Sequence, residues 1–426
     1  MDMNVSTNPG LLKLDLYCKG IRIDESCYIE QDGGRAIMRT RAGLGSGLEA
    51  ILPGNLWTNI PVCEFFVKDS PYTLHKEKGR YKILRNHEYV TDIRLSPQPI
   101  WYEKRTSTGK VMKRVGSLQG TYLGIYPAKV CEYWTRETKV NCKFCSVGLN
   151  LGVDDADEKS VSEVLETVRE AVRESKITYV DFNTGHYPGE TYLDILEPYI
   201  TSIKKEFGLL IGVQAPPHHD LKRYDNLKKM GVNRVSFCFE IFDEQRFVDV
   251  CPGKHTQYGL KRYLEAVEYC AKVFDTCNGE IIAGLEPPES SIKAIDWITS
   301  VGAIPTVCVF RPLQGTDYAD VPPPKTEDMI PVFRRLYEAC MERKLPIGVA
   351  PNVKVSLVLL PEEGRYFTDD PKKYWFLDTK YKVASKTLGA MFNLGMARTA
   401  GKIIDAIGAS RRNQIREQPH ASGPVH

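Results

Sequence analysis

The chain has 426 residues, 42% of them hydrophobic, and 57 Lys and Arg stand against 54 Asp and Glu. That length accommodates one large α/β barrel with additions or two ordinary domains. A formal charge of +3 spread over it gives no basic stripe for nucleic acid and no field for an acidic membrane surface. No apolar run approaches the roughly 20 residues that span a bilayer. The N-terminus MDMNVSTNPG lacks a basic region followed by an apolar stretch, so no signal peptide is read and a cytoplasmic protein is expected.

In chain order, residues 1–117 read as an N-terminal β-rich extension. Short runs such as YCKGIRI, CYIEQ, RAIMRT, YKILRN and TDIRLS are separated by Gly, Pro and Asp/Asn. From about residue 118 to 360, apolar strand-like runs alternate with helix-period segments, the pattern of βα units on a parallel sheet. The strands are TYLGIYPAKV, ITYVDFNTG, LLIGVQAP, RVSFCFEIF, GEIIAGLE, PTVCVFRP and a seventh, PIGVAPNVKVSLVLL. Helices are expected over DEKSVSEVLETVREAVRES, ETYLDILEPYITSIKKEF, QYGLKRYLEAVEYCAKVF and EDMIPVFRRLYEACMERK, with Pro331 in the first turns of the last. The fold class that follows is α/β, a full or partial (β/α) TIM-type barrel whose active site lies at the C-terminal ends of its strands. Residues 361–410 form a C-terminal helical segment, and 411–426 are expected to be a disordered tail.

Chemistry concentrates just after the first strand, in CEYWTRETKVNCKFCSVG. Cys131, ten residues, Cys142, two residues and Cys145 group three thiols with no histidine between them. Closed structural zinc sites usually carry four protein ligands, whereas three thiolates on an Fe–S cluster leave one iron open. The nine other cysteines are scattered, form no further C-x-x-C pair and read as small buried hydrophobes. On the fourth strand, Ser236, Cys238 and Glu240 alternate with Val235, Phe237 and Phe239. A carboxylate facing the barrel mouth accepts hydrogen bonds from a ribose hydroxyl or an ammonium. Arg311, at the tip of the sixth strand, presents a planar fork that suits a carboxylate or a structural ion pair. His186 is read either as a substrate-side group or as a solvated loop residue.

The run Cys142-Lys143-Phe144-Cys145 resembles the cluster loop of the radical S-adenosylmethionine (SAM) superfamily, C-x-x-x-C-x-aromatic-C, with a first gap of ten residues instead of three. The endings of later strands resemble the biotin-synthase-like branch. Asn183, Thr184, Gly185, Gly189 and Glu190 stand where the superfamily has a glycine-rich turn that meets the methionine amine. Gly284 stands in the adenine-contact strand, and Arg311-Pro312 is followed by Gly315-Thr316.

The resemblance implies that Cys131, Cys142 and Cys145 hold a [4Fe–4S] cluster. It also implies that Phe144, Thr184, Gly185, Glu190, Glu240, Gly284 and Arg311 bind the cofactor, with Glu240 and Arg311 as catalytic residues. The implied activity is reductive cleavage of SAM to a 5′-deoxyadenosyl radical, which takes hydrogen from a small substrate of a cofactor or natural-product pathway. An electron donor such as flavodoxin or ferredoxin is implied as well. The later chemistry stays open among sulfur insertion, carbon–carbon bond chemistry, methylation and rearrangement. Radical modification of tRNA or protein, and a non-catalytic Fe–S or metal-binding protein, are the alternatives.

Overall fold

The computed structural model describes residues 3–27, 38–39, 46–370 and 372–417. Its centre is a parallel sheet of β1 (Leu123–Ile125), β2 (Tyr179–Asn183), β3 (Leu210–Gln214), β4 (Arg234–Glu240), β5 (Thr276–Ala283) and β6 (Ile304–Val309). Neighbours in sequence are neighbours in the sheet, and every one of these pairs is parallel. Helices α1 (Val161–Ser175), α2 (Tyr192–Phe207), α3 (Arg223–Lys229), α4 (Gly259–Ala271), α5 (Pro288–Ser300) and α6 (Thr326–Glu342) each follow one strand. Ser117–Leu118 pairs antiparallel with β1, and the sheet ends there and at β6 without closing. The barrel is therefore partial. Asp181, Gln214, Arg234, Glu280 and Cys308, from five successive strands, line one cavity, so the open sheet curls around a shared interior.

Period-two alternation produces this arrangement. On β4 the Val235, Phe237 and Phe239 side chains are buried to 1% exposure or less, and Phe237 meets Tyr224 of α3 edge to face. Ser236 and Cys238 turn the other way and hydrogen-bond Glu280 of β5 inside the barrel. Burial of each large apolar side chain against the helices contributes about 1.5–3 kcal/mol, which fixes the register.

Three sequence expectations change. Residues 346–360 form no strand: Pro346 and Pro351 lack amide donors, and Gly348 and Asn352 take positive φ of 65° and 56°. The segment runs irregularly beneath the barrel, with Thr178 Oγ1 donating to the Pro351 carbonyl at 2.6 Å. Tyr17 and Cys18 belong to a helix, Pro9–Lys19, that Asn8 caps through the Leu11 amide and Gly20 ends at φ 66°. Only Arg22–Ile23 of YCKGIRI is extended. The last helix, Ala397–Glu417, runs into the segment expected to be disordered.

The YKILRN and TDIRLS runs are strands Arg80–Arg85 and Glu88–Leu95 of an N-terminal sheet. Most of CYIEQ and RAIMRT lies outside the described residues. Helix α7 (Trp375–Asn393) and helix α8 (Ala397–Glu417) form the C-terminal segment.

Candidate active site

The chain leaves β1 at Ile125 and reaches Cys131, the residue before a single helical turn, Glu132–Thr135. The ten residues between Cys131 and Cys142 then close on themselves. Val140 N donates to the Tyr133 carbonyl at 3.2 Å, and Gly253 N donates to the Val140 carbonyl at 2.9 Å. Lys143 N reaches the Val250 carbonyl at 3.0 Å, and Cys145 N the Cys142 carbonyl at 3.0 Å. The long gap is thus a pinned excursion that returns Cys142 and Cys145 to the side of Cys131. All three line one pocket of about 130 Å³ with Phe144, Thr184, Gly185 and Glu240.

The loop after β2 clasps Cys131 from the other side. His186 N points at Cys131 Sγ at 3.4 Å, while Glu132 N donates to the His186 carbonyl at 2.9 Å. Gly185 lies so close that an added Cβ would stand 2.4 Å from Cys131 Cβ. Val147 N points at Cys145 Sγ at 3.5 Å. Amides directed at cysteine sulfurs stabilise thiolate charge and tune iron–sulfur centres. Burial pushes the Cys131 thiol up to about 11 and the Cys145 thiol up to about 12, whereas the Cys251 thiol donates to Cys142 and holds it below the usual thiol value.

Opposite the cysteines, Lys254 Nζ stands 2.8 Å from Glu240 Oε1 and 2.5 Å from the Cys238 carbonyl. Burial alone would lower the Lys254 pKa, but Glu240 and Cys142 more than offset that and keep it cationic. Glu240 takes φ 68° at a register shift between β4 and β5, a left-handed conformation that costs a non-glycine residue about 1–3 kcal/mol. The shift aims its carboxylate into the pocket. Thr184 Oγ1 is buried there with no hydrogen-bond partner among the described residues. His186 is 3% exposed rather than solvated: it stacks on Tyr133 at 4.9 Å, and its Nδ1 pairs with Tyr258 Oη at 2.7 Å. Burial lowers its pKa, so the ring is neutral wall rather than charge.

Three predicted residues lie away from the pocket. Arg311, read either as a carboxylate binder or as a structural ion pair, takes the structural place: it donates to Asn59 Oδ1 at 2.9 Å and to the Asn59 carbonyl at 2.6 Å, and its Nη1 stands 3.9 Å from Glu64 Oε1. Gly284, at φ 101°, packs on Pro324, where a Cβ would sit 2.8 Å away. Glu190 accepts from His219 N at 3.1 Å and pairs with the His219 ring in the next loop. Glu286, in the same strand-five motif, accepts from the amides of Phe242 and Asp243.

The sequence places Gly253, Lys254 and His255 in a loop over the barrel mouth, but it does not show that Lys254 pairs with Glu240 or that Cys251 neighbours Cys142. That stretch is a short helix, Pro252–Gln257, rather than a loop, and Cys251 is the residue before it.

The donor set fits a cluster. Among the described residues no three His, Cys, Asp or Glu side chains converge as one ion requires. Three thiols on one pocket, each able to take a different iron, are the donor type that such a cluster uses. The amides on two sulfurs, the orphaned Thr184 hydroxyl and the glycine at Cys131 agree with that occupant.

Comparison with known proteins bears on the same region. The chain is 32% identical over 117 residues to bacteriochlorophyllide c C-7(1)-hydroxylase of Chlorobaculum limnaeum. That match covers 27% of this chain and spans only 29% of the relative's length. A crystal structure of methylornithine synthase aligns over 51% of this chain and 62% of its own, at 16% identity and TM-score 0.40. The FeFe-hydrogenase maturase of Carboxydothermus hydrogenoformans aligns over 70% and 78%, at 17% identity and TM-score 0.41. Residues 135–298 match the family model of the Radical SAM superfamily, a span that includes Cys142, Cys145 and Glu240 and begins just after Cys131. With that match laid over the curled sheet and its cysteine pocket, the chain carries a Radical SAM superfamily domain.

Proposed function

We propose that this protein is a radical SAM enzyme acting on a small biosynthetic substrate, with Cys131, Cys142 and Cys145 as the three ligands of a [4Fe–4S] cluster. The observation that carries the reading is the convergence of these cysteines, an unpartnered Thr184 hydroxyl and Glu240 on one pocket at the C-terminal ends of the strands. When bound and reduced, the cluster supplies the electron that cleaves SAM to a 5′-deoxyadenosyl radical, which takes a hydrogen atom from the substrate.

The chain's own residues position and insulate. The amides of His186 and Val147 offset negative charge on Cys131 and Cys145, and the buried Lys254 ammonium adds positive charge beside Cys142. Glu240 Oε1 is held by Lys254, which leaves Oε2 to accept from a ribose hydroxyl or the methionine ammonium of SAM. Thr184 Oγ1 serves as a further polar contact to SAM, since a buried hydroxyl without a partner costs about 1–3 kcal/mol until one arrives. Tyr133, His186 and Phe144 wall the pocket and keep water from a reactive radical. The electron comes from outside the chain, from a donor of the flavodoxin or ferredoxin kind.

The test is anaerobic reconstitution with iron and sulfide, followed by electron paramagnetic resonance of the reduced protein. A [4Fe–4S] signal whose g-values shift on adding SAM is expected. A signal indifferent to SAM would refute cofactor binding at the open iron.

A further inference from the structure

The barrel encloses a second, larger cavity, of about 300 Å³, toward the N-terminal ends of its strands. That volume falls in the range of about 300–1,000 Å³ usual for small-molecule sites. Asn183, Gln214, Glu280 and Cys308 line both cavities, so this space adjoins the cysteine pocket. The irregular segment 346–360 and helices α7 and α8 cover it from below, offering Val358, Leu359, Leu388, Ile404 and Ile407 as an apolar wall. Ile407 is 44% exposed and marks the mouth.

The opposite wall is polar, and its cation is engaged by its neighbours. Arg234 Nε donates to Asn278 Oδ1 at 2.8 Å, Nη1 to Asp181 Oδ1 at 3.1 Å and Nη2 to Glu280 Oε1 at 2.8 Å. The Tyr179 hydroxyl goes to Asp181, and the Gln214 amide and Ser236 hydroxyl go to Glu280. Arg234 is the one cation lining the cavity among the described residues, against the carboxylates of Asp181, Glu280, Asp275 and Glu362. Lys228 and Arg412 hold Asp275. Asp181 Oδ2 takes no bond among the described residues. The cavity therefore presents several carboxylate acceptors beside a single lining cation, Arg234, whose printed bonds all go to that wall.

We propose, resting on the radical SAM reading, that this cavity is the substrate site and takes a molecule with an apolar body and an ammonium head seated on Asp181. A buried cation needs a charged partner, and a carboxylate head brought to the same wall would meet like charge.

The experiment measures binding of n-octylamine and of octanoate to the reconstituted holoprotein by saturation-transfer difference NMR. The amine should bind saturably and at least about tenfold more tightly than the acid, the difference of one charge-assisted hydrogen bond. Asp181→Asn should bring the two affinities together. Ile407→Trp at the mouth and Val358→Trp in the wall should each weaken the amine by a similar factor, with circular-dichroism melts and iron content checking folding and loading. Octanoate bound as tightly as the amine, or amine binding untouched by both tryptophans, would overturn the assignment. Because binding needs no turnover, the two readings fail separately. A wild type that prefers the amine yet releases no 5′-deoxyadenosine counts against the radical chemistry alone. Normal release with equal binding counts against the cavity alone.

Discussion

A methyl group on Gly185 would collide with the Cβ of Cys131, and neither neighbour can move away easily. The Cα of Cys131 is the next contact, at 2.8 Å, followed by the Tyr126 hydroxyl at 2.9 Å. Gly185→Ala is therefore expected to push the loop off Cys131 and break the approach of His186 N to its sulfur. Iron bound per chain after reconstitution should fall well below wild type while far-ultraviolet circular dichroism is unchanged; full iron loading would contradict the clasp.

At this scale the sequence was partly readable. Cys131, Cys142, Cys145 and Glu240, picked out by residue type and by period-two placement, line one pocket. The Lys254–Glu240 pair and the place of Cys251 beside Cys142 were not legible, because they depend on two short helices after β4, Glu244–Val250 and Pro252–Gln257, that bring the chain back to Glu240. Arg311 and Gly284 stood where motif reading expected cofactor contacts, yet one ties two sheets together and the other makes room for a proline. Residue type alone could not separate those duties.

Among the elements, α1 carries the clearest test of local design. Ser160 Oγ accepts from Glu163 N at 3.2 Å, and Glu163 Oε2 accepts from Ser160 N at 2.7 Å, a reciprocal cap at the start of the helix. Burial alone would raise the Glu163 carboxyl, but Thr108, the Ser160 amide and Lys110 outweigh it and hold it at about 2 against a usual 4.5. A carboxyl depressed on folding stabilises the protein above its unfolded value, and that contribution is lost as pH falls from about 4.5 toward 2. Glu163→Gln should cost on the order of 3 kcal/mol at pH 7 in urea unfolding, with the deficit shrinking below pH ~4.5. A deficit constant across that window would contradict the account.

The helix itself was legible from its stripe of Val161, Val164, Leu165, Val168 and Val172. Residues 346–360 misled for the opposite reason. Their β-branched and apolar side chains read as a strand, but those side chains wall a cavity, and two prolines remove the donors a ladder needs.

The whole molecule depends on how the N-terminal sheet meets the barrel. Among the contacts at this junction are Arg311 on Asn59, a buried Lys13–Glu363 pair at 2.7 Å, and Tyr17 Oη on the Ser356 carbonyl at 2.6 Å. Arg311→Ala leaves buried Asn59 and Glu64 without their cation and is expected to destabilise by about 3 kcal/mol in urea unfolding. Iron content should be unaffected, since Arg311 does not line the cysteine pocket; a loss of cluster without loss of stability would return Arg311 to the active site. None of these contacts was visible in the sequence, because each joins segments hundreds of residues apart. The order of the first six βα units, by contrast, was legible, since each of those strands pairs with the next in the chain.

The central claim is that Cys131, across the ten-residue excursion, is the third cluster ligand. Cys251 is the rival, being hydrogen-bonded to Cys142 yet fully buried outside the pocket. The most direct test compares 5′-deoxyadenosine release by reduced, reconstituted Cys131→Ala and Cys251→Ala proteins supplied with SAM. Cys131→Ala is predicted to release none and Cys251→Ala to retain release. Retained release in Cys131→Ala, with loss in Cys251→Ala, would contradict the assignment.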